Sequence, residues 1–97
     1  MTIKEIRNDL LEIKYYYARQ SDLDVACKTI GVNSVIDKVN KYTEAMKDAT
    51  AYLIDIYVGL YVQGNTQMSL ADEMELSVEY VRTQNRKLIQ YLQAVLQ

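Results

Sequence analysis

In the first segment of the chain, apolar residues recur at alternating intervals of three and four positions. This interval places side chains on one stripe of an α-helix, so it predicts a first helix that packs through that stripe. The stripe consists of Ile3, Ile6, Leu10, Ile13 and Tyr17. Ser21 then begins a capping-box sequence, and Gly31 is suited to end a helix. A brief second helix is therefore predicted between these two residues.

The middle of the chain continues the same helical interval. Its first stripe is Val35, Val39, Tyr42 and Met46, and Ala49, Leu53, Ile56 and Leu60 extend it. Asn33 or Ser34 can cap the helix that carries the first of these stripes. One helix over 34–63 is an open alternative, but we favour a break at 48–50, where Asp48 or Thr50 can cap a new helix. Residues 52–62 are rich in β-formers, yet no partner strand is evident, so a helix is predicted there. Gly64 is well placed to end it.

The last third of the chain has the pattern of a helix-turn-helix. Thr66 and Ser77 are suitable N-caps for two successive helices, and Leu76 lies in the turn where such a motif usually has an apolar plug. In the second helix, one side is apolar and the opposite side is polar. The apolar side carries Val81, Leu88 and Leu92.

The polar side of this last helix is a candidate surface for reading DNA. Arginine can contact guanine or phosphate, glutamate can accept a hydrogen bond from cytosine, and threonine suits base edges or backbone oxygens. The alternative interpretation is an ordinary solvated helix surface. The candidate DNA-binding residues are Ser77, Glu79, Tyr80, Arg82, Thr83, Arg86 and Lys87.

Composition restricts the classes of function. The 97 residues fit one domain, with 49% hydrophobic and 25% charged residues, near the averages for globular proteins. The net charge of −2 is low for a DNA-binding protein, although three of the four acids of the last third precede its basic helix. Because the chain has no histidine and a single cysteine, Cys27, we expect no metal site, no cofactor and no enzymatic activity. Cys27 is expected to be buried.

The nine tyrosines stand in a chain without Phe or Trp. Tyr15, Tyr16 and Tyr17 are adjacent, but the basic groove that single-strand binders combine with aromatic residues is lacking nearby. Tyr17 is therefore predicted to be in the core, and Tyr15 and Tyr16 at the rim of a helix interface. Tyr57 and Tyr61, one helical turn apart, are also predicted to pack.

Residues 50–93 resemble region 4 of sigma factors. The resemblance rests on Gly64, the Leu70-Ala71 pair, the Leu76-Ser77 turn and Val81. The helical prefix together with this module is similar to phage-encoded transcriptional regulators of the RinA and ArpU kind. The chain differs from that pattern at Asn85, where the family usually has a core-facing apolar residue, and in its acidic net charge.

These observations together predict an all-α protein, a small helical bundle with a C-terminal helix-turn-helix. Residues 1–49 are expected to form a helical scaffold or oligomerisation segment and residues 50–97 the region 4-like module, within one compact domain. The resemblance implies a DNA-binding transcriptional regulator, encoded by a phage or prophage and located in the bacterial cytoplasm. Its expected partners are double-stranded DNA and a second copy of the chain, with no membrane. The alternative is a module that binds a protein, such as RNA polymerase or a repressor.

Overall fold

The computed structural model describes residues 1–19 and 32–96, and in those ranges its regular secondary structure is entirely helical, with no strand. The expectation of an all-α small bundle is confirmed. The elements are α1 (Ile3–Ala18), α2 (Val32–Met46), α3 (Ala51–Tyr57), a π-helical turn (Val58–Val62) that continues α3, α4 (Gln67–Glu73) and α5 (Val78–Val95). Within these ranges, no helix has the length and apolar character required to cross a membrane. The expected brief helix, with Ser21, Cys27 and Gly31, lies outside the described residues.

The core lies where α1, α5 and the π-helical turn at the end of α3 meet, and every described helix contributes to it. Helix α1 packs against the π-helical turn and α5, and α2 packs against α1 and α5. The two predicted segments therefore share one core. Its fully buried side chains are Ile6, Leu10, Ile13, Tyr42, Ile56, Val81, Leu88 and Leu92.

The ends of the first apolar stripe are less buried than its spacing predicted. Ile6, Leu10 and Ile13 are buried, but Ile3 is 42% exposed. Tyr17 is half-buried, so its placement in the core was wrong, and its ring packs edge-to-face on Tyr16 at 5.3 Å between centroids. Periodicity identifies the direction in which a helix faces its neighbours, whereas the ends of the stripe depend on where those neighbours end.

The break between α2 and α3 is confirmed. Helix α2 ends at Met46, and the Thr50 side chain caps α3 by accepting a hydrogen bond from the Leu53 amide at 3.4 Å. The predicted start of α2 needs correction, because the helix begins at Val32 and already includes Asn33 and Ser34. The chain thus turns before Thr50, and α3 packs against α5.

The end of α3 widens into a π-helical turn that the sequence did not predict. The Gln63 amide donates to the Val58 carbonyl at 2.8 Å, and Gly64 follows with φ +78°. The expected role of Gly64 in ending the helix is confirmed, because a left-handed conformation suits glycine. Asn65 donates to the Gly59 carbonyl from its backbone at 3.0 Å and from its side chain at 3.1 Å, and so closes the turn.

Two buried tyrosines have contrasting polar environments. The Tyr42 hydroxyl donates to the buried Asp9 carboxylate at 2.8 Å, and Lys38 lies 3.4 Å from the other carboxylate oxygen. The Tyr57 hydroxyl is buried without a partner of hydrogen-bond geometry in the described part of the chain, and burial raises the pKa of Tyr57 while the nearby Thr43 hydroxyl opposes that rise. Burial raises the pKa of both phenols above the ordinary value, and at Tyr42 the Asp9 carboxylate raises it further.

Candidate nucleic-acid interface

Helix α4 is held in place at its start and along its inner side. The Thr66 side chain accepts from the Ser69 amide at 3.0 Å, as its expected role of N-cap requires. The Ser69 hydroxyl donates to the Asn65 side-chain oxygen at 3.1 Å, which joins α4 to the end of the π-helical turn. Leu70 and Ala71 are buried, so α4 is fixed to the core through the pair that the sequence singled out.

The turn between α4 and α5 is a Schellman motif with glutamate in the usual position of glycine. The Leu76 amide donates to the Ala71 carbonyl at 2.8 Å and the Glu75 amide to the Asp72 carbonyl at 3.2 Å. Glu75 has φ +58°. Leu76 was expected to plug the turn, but 38% of its surface is exposed, so it covers the outside of the turn instead.

Helix α5 begins at a clear cap and carries the candidate DNA-binding residues outward. The Ser77 hydroxyl accepts from the Tyr80 amide at 3.1 Å, which confirms Ser77 as the N-cap. The inner side of α5 buries Val81, Leu88 and Leu92, together with Ile89. All seven candidates are exposed, namely Ser77, Glu79, Tyr80, Arg82, Thr83, Arg86 and Lys87.

The structure places four of the seven candidates in two regions of the helix surface. Thr83 and Lys87 lie opposite the buried side of α5, whereas Arg82 and Arg86 lie on the flank that faces α1. On that flank they line an open cleft of about 380 Å³ together with Arg7 of α1. Arg7 was given no role from the sequence.

Glu79 and Arg82 form an ion pair one turn apart at the start of α5. Both side chains are largely exposed, at 78% and 49%, so the pair adds little to folding stability. It does hold the Arg82 guanidinium beside a carboxylate. Arg82 therefore needs to share or release Glu79 when it contacts an outside group.

Asn85 stands where the family that the sequence resembles usually has an apolar residue. A hydrogen bond that the sequence did not predict accommodates it. The Tyr61 hydroxyl, on the π-helical turn, donates to the Asn85 side-chain oxygen at 2.6 Å. Burial raises the pKa of Tyr61, while the bond to Asn85 and the charge of Arg7 oppose that rise. The half-buried Asn85 thus connects α5 to the π-helical turn by a polar contact instead of an apolar one.

Two further hydrogen bonds hold the later half of α5. The Tyr91 hydroxyl donates to the Ala45 carbonyl at 2.7 Å, at the end of α2. The Gln93 side chain donates to the Met1 carbonyl at 3.3 Å. Together with the bond at Asn85, these bonds join α5 to three other parts of the chain, and all three lie beyond Thr83.

Comparisons with protein-family models, with curated proteins and with solved structures found no match to this chain. The function is therefore argued from the geometry of α4, the turn and α5. In the described ranges no group of three or more acidic or sulfur ligands is close enough to hold a metal ion.

Proposed function

We propose that the chain is a DNA-binding protein whose helix α5 enters the major groove while α4 supports it. The observation that carries this proposal is the exposure of all seven candidates on a helix whose other side is fully buried. A helix held firmly on one side, and uncovered on a side with arginine, lysine and threonine, has the arrangement that major-groove recognition requires.

Each candidate is assigned a role from its chemistry and its position on α5. Ser77 caps the helix, and the positive N-terminal end of α5 faces a backbone phosphate. Glu79, Arg82, Thr83 and Arg86 contact base edges. Tyr80 and Lys87 contact the adjoining DNA backbone.

The ion pair between Glu79 and Arg82 adds a constraint to this assignment. A guanidinium held by a neighbouring carboxylate has fewer orientations to lose when it binds, which lowers the entropic cost. The same pair presents a carboxylate that repels phosphate and accepts from cytosine. We therefore expect the two residues to act together at adjacent base pairs.

Selection of bound sites from a random DNA pool tests the proposal. An enriched motif is expected, and Arg82→Ala or Arg86→Ala should each weaken binding to it by about 1–3 kcal/mol and relax specificity at one position. Arg19→Ala is the matched control, because Arg19 is an exposed arginine outside this surface. Failure to enrich any motif, or equal binding by the parent and both variants, would contradict the proposal.

A role as a phage or prophage regulator in the bacterial cytoplasm follows from the resemblance to the RinA and ArpU kind, and we propose it on that ground. A symmetric dimer belongs to the same proposal, because each chain offers one α5 and paired half-sites lie about 34 Å apart on DNA. The described residues extend 41 Å along their longest axis, a length comparable to that half-site spacing. An inverted repeat among the selected sites would support a dimer, and a single undivided site would contradict it.

A protein-binding role is the second candidate, and exposed apolar residues beside the turn favour it. Met68 is 71% exposed on α4, and Leu76 lies close by on the turn. The net charge of −2 also suits a protein partner, such as RNA polymerase or a repressor, better than DNA. Salt separates the two functions: DNA affinity falls steeply as salt rises, whereas a packed apolar interface changes little.

A further inference from the structure

The cleft between α1 and α5 brings together three arginines from distant parts of the sequence. Arg7 comes from α1, and Arg82 and Arg86 come from consecutive turns of α5. The remaining lining residues include no carboxylate; they are Leu11, Tyr61, Gln67, Asn85 and Ile89. A local charge of +3 therefore lies on a chain with a net charge of −2.

Little within the described ranges neutralises these charges. Arg82 pairs with Glu79, which lies outside the cleft lining, and neither Arg7 nor Arg86 forms an ion pair there. Like charges that share one cleft repel, and an anion between them relieves that repulsion. Arg7 lines the cleft together with Tyr61 of the π-helical turn.

The neutral polar residues of the cleft are suited to donate hydrogen bonds. Because the Asn85 side-chain oxygen accepts from Tyr61 at 2.6 Å, its NH₂ group is left to donate. Gln67, at the start of α4, has a second amide. A guanidinium group binds phosphate in a bidentate manner, through two parallel N–H···O hydrogen bonds, and amide N–H groups can donate to the remaining phosphate oxygens.

We propose that this cleft is a phosphate-binding site in which Arg7, Arg82 and Arg86 hold the ligand oxygens. The phosphate is either a backbone group of DNA or a free phosphate. Binding of a DNA backbone phosphate rests on the proposed function, whereas binding of a free phosphate does not. With DNA, Arg7 extends the interface from the helix-turn-helix to the N-terminal helix, and the five N–H donors of each α5 arginine serve both a base edge and the adjacent backbone phosphate.

The first arm of the test uses inorganic phosphate, with chloride at matched ionic strength as the reference. As phosphate is added to the parent protein, its arginine side-chain NMR signals are expected to shift until they saturate. The affinity read from these shifts should be roughly tenfold weaker for Arg7→Gln. Glu79→Gln releases Arg82 and should tighten phosphate binding. Arg19→Gln, the same change at the C-cap that follows the same helix and outside the cleft, should leave it unaltered.

The second arm uses a random-sequence duplex. Arg7→Gln should weaken binding roughly tenfold for all sequences alike and lower the salt slope by about one, while Arg7→Lys keeps the charge and restores part of the affinity. If Arg7→Gln binds both probes as the parent does, the site is wrong even where Arg82→Ala still weakens DNA binding. If DNA fails to bind but the phosphate response is lost in Arg7→Gln, the site stands and the proposed function falls.

Discussion

At the scale of single residues, the core contains two phenols whose surroundings have opposite energetic consequences. Tyr42 is fully buried and donates to Asp9, whereas Tyr57 is almost as buried and has no partner of suitable geometry among residues 1–19 and 32–96. A buried hydrogen bond to a carboxylate stabilises a fold, and an unpaired buried hydroxyl costs about 1–3 kcal/mol. The same substitution at the two positions should therefore have opposite effects.

We expect Tyr42→Phe to lower the free energy of unfolding by about 1–3 kcal/mol, because Asp9 loses the hydroxyl that satisfies it. Tyr57→Phe should leave that free energy unchanged or raise it by about 1 kcal/mol, because it removes only the unpaired oxygen. Denaturant unfolding of both variants measures the difference. Equal losses at the two positions would show that Tyr57 has a partner in the folded protein.

At the scale of elements, the junction between the π-helical turn and α4 depends on a close approach at Gly59. A β-carbon built at Gly59 would lie 2.5 Å from one Leu70 methyl carbon and 2.9 Å from the other. Leu70 is 3% exposed and has little room to move. This contact fixes the distance between α4 and the helix before it, and thus the position of the whole helix-turn-helix.

Gly59→Ala is expected to destabilise the protein by about 1–3 kcal/mol, because the added methyl overpacks against Leu70. Helix propensity alone predicts the opposite sign, since alanine favours helices over glycine. The double variant Gly59→Ala with Leu70→Ala should be less destabilised than the sum of its single variants. Additive losses in that cycle would mean that the two side chains do not meet.

The Schellman turn supplies a second prediction at this scale. Glu75→Gly should raise the free energy of unfolding by about 1 kcal/mol, because glycine adopts the left-handed conformation without strain. For a domain of this size, that gain corresponds to a rise in Tm of about 4–8 °C. Glu73→Gly, within α4, is the contrasting control and should lower the Tm instead. Should Glu75→Gly also lower the Tm, the conformation assigned to this turn would be incorrect.

The elements were predictable from the sequence where the determining interaction is local. Thr66 and Ser77 cap the helices that they precede, and Gly64 ends the one before it. The π-helical turn has no comparable local signature, and a left-handed Glu75 is unusual for its residue type. Hydrogen bonds between distant elements, such as that between Tyr61 and Asn85, depend on packing angles that periodicity does not encode.

The cleft was not predictable for a similar reason. Arg82 and Arg86 were singled out because they share a helix, and the helical wheel gives their separation directly. Arg7 lies 75 positions before Arg82, and only the packing of α1 on α5 brings it to the same cleft. The exposed side of α5 could therefore be predicted from the sequence, whereas the packing of α1 beside it could not.

At the scale of the whole molecule, several buried phenols make stability sensitive to alkaline pH. The pKa values of Tyr42, Tyr57 and Tyr61 are all raised, chiefly by burial. In the unfolded chain these groups lose their protons near the ordinary value of 10.0, while the folded protein retains them. Unfolding therefore releases protons, and stability falls as pH rises.

We expect the free energy of unfolding to be insensitive to these groups below about pH 9 and to decline above about pH 10, by up to about 1.4 kcal/mol per pH unit for each tyrosine. Denaturant unfolding at a series of alkaline pH values measures this slope. Tyr57→Phe should make the slope shallower, since one of the titrating groups is removed. A slope identical in parent and variant would contradict the raised pKa of Tyr57.

The hydrogen bonds that hold α5 indicate which positions of this helix should tolerate substitution. Asn85, Tyr91 and Gln93 join the later part of the helix to its neighbours, whereas Glu79 and Thr83 project outward near its start. Randomising the outward positions should thus yield folded libraries, in which new target preferences can be selected without rebuilding the scaffold. Along one continuous helix, the start is therefore open to substitution while the later part anchors the fold.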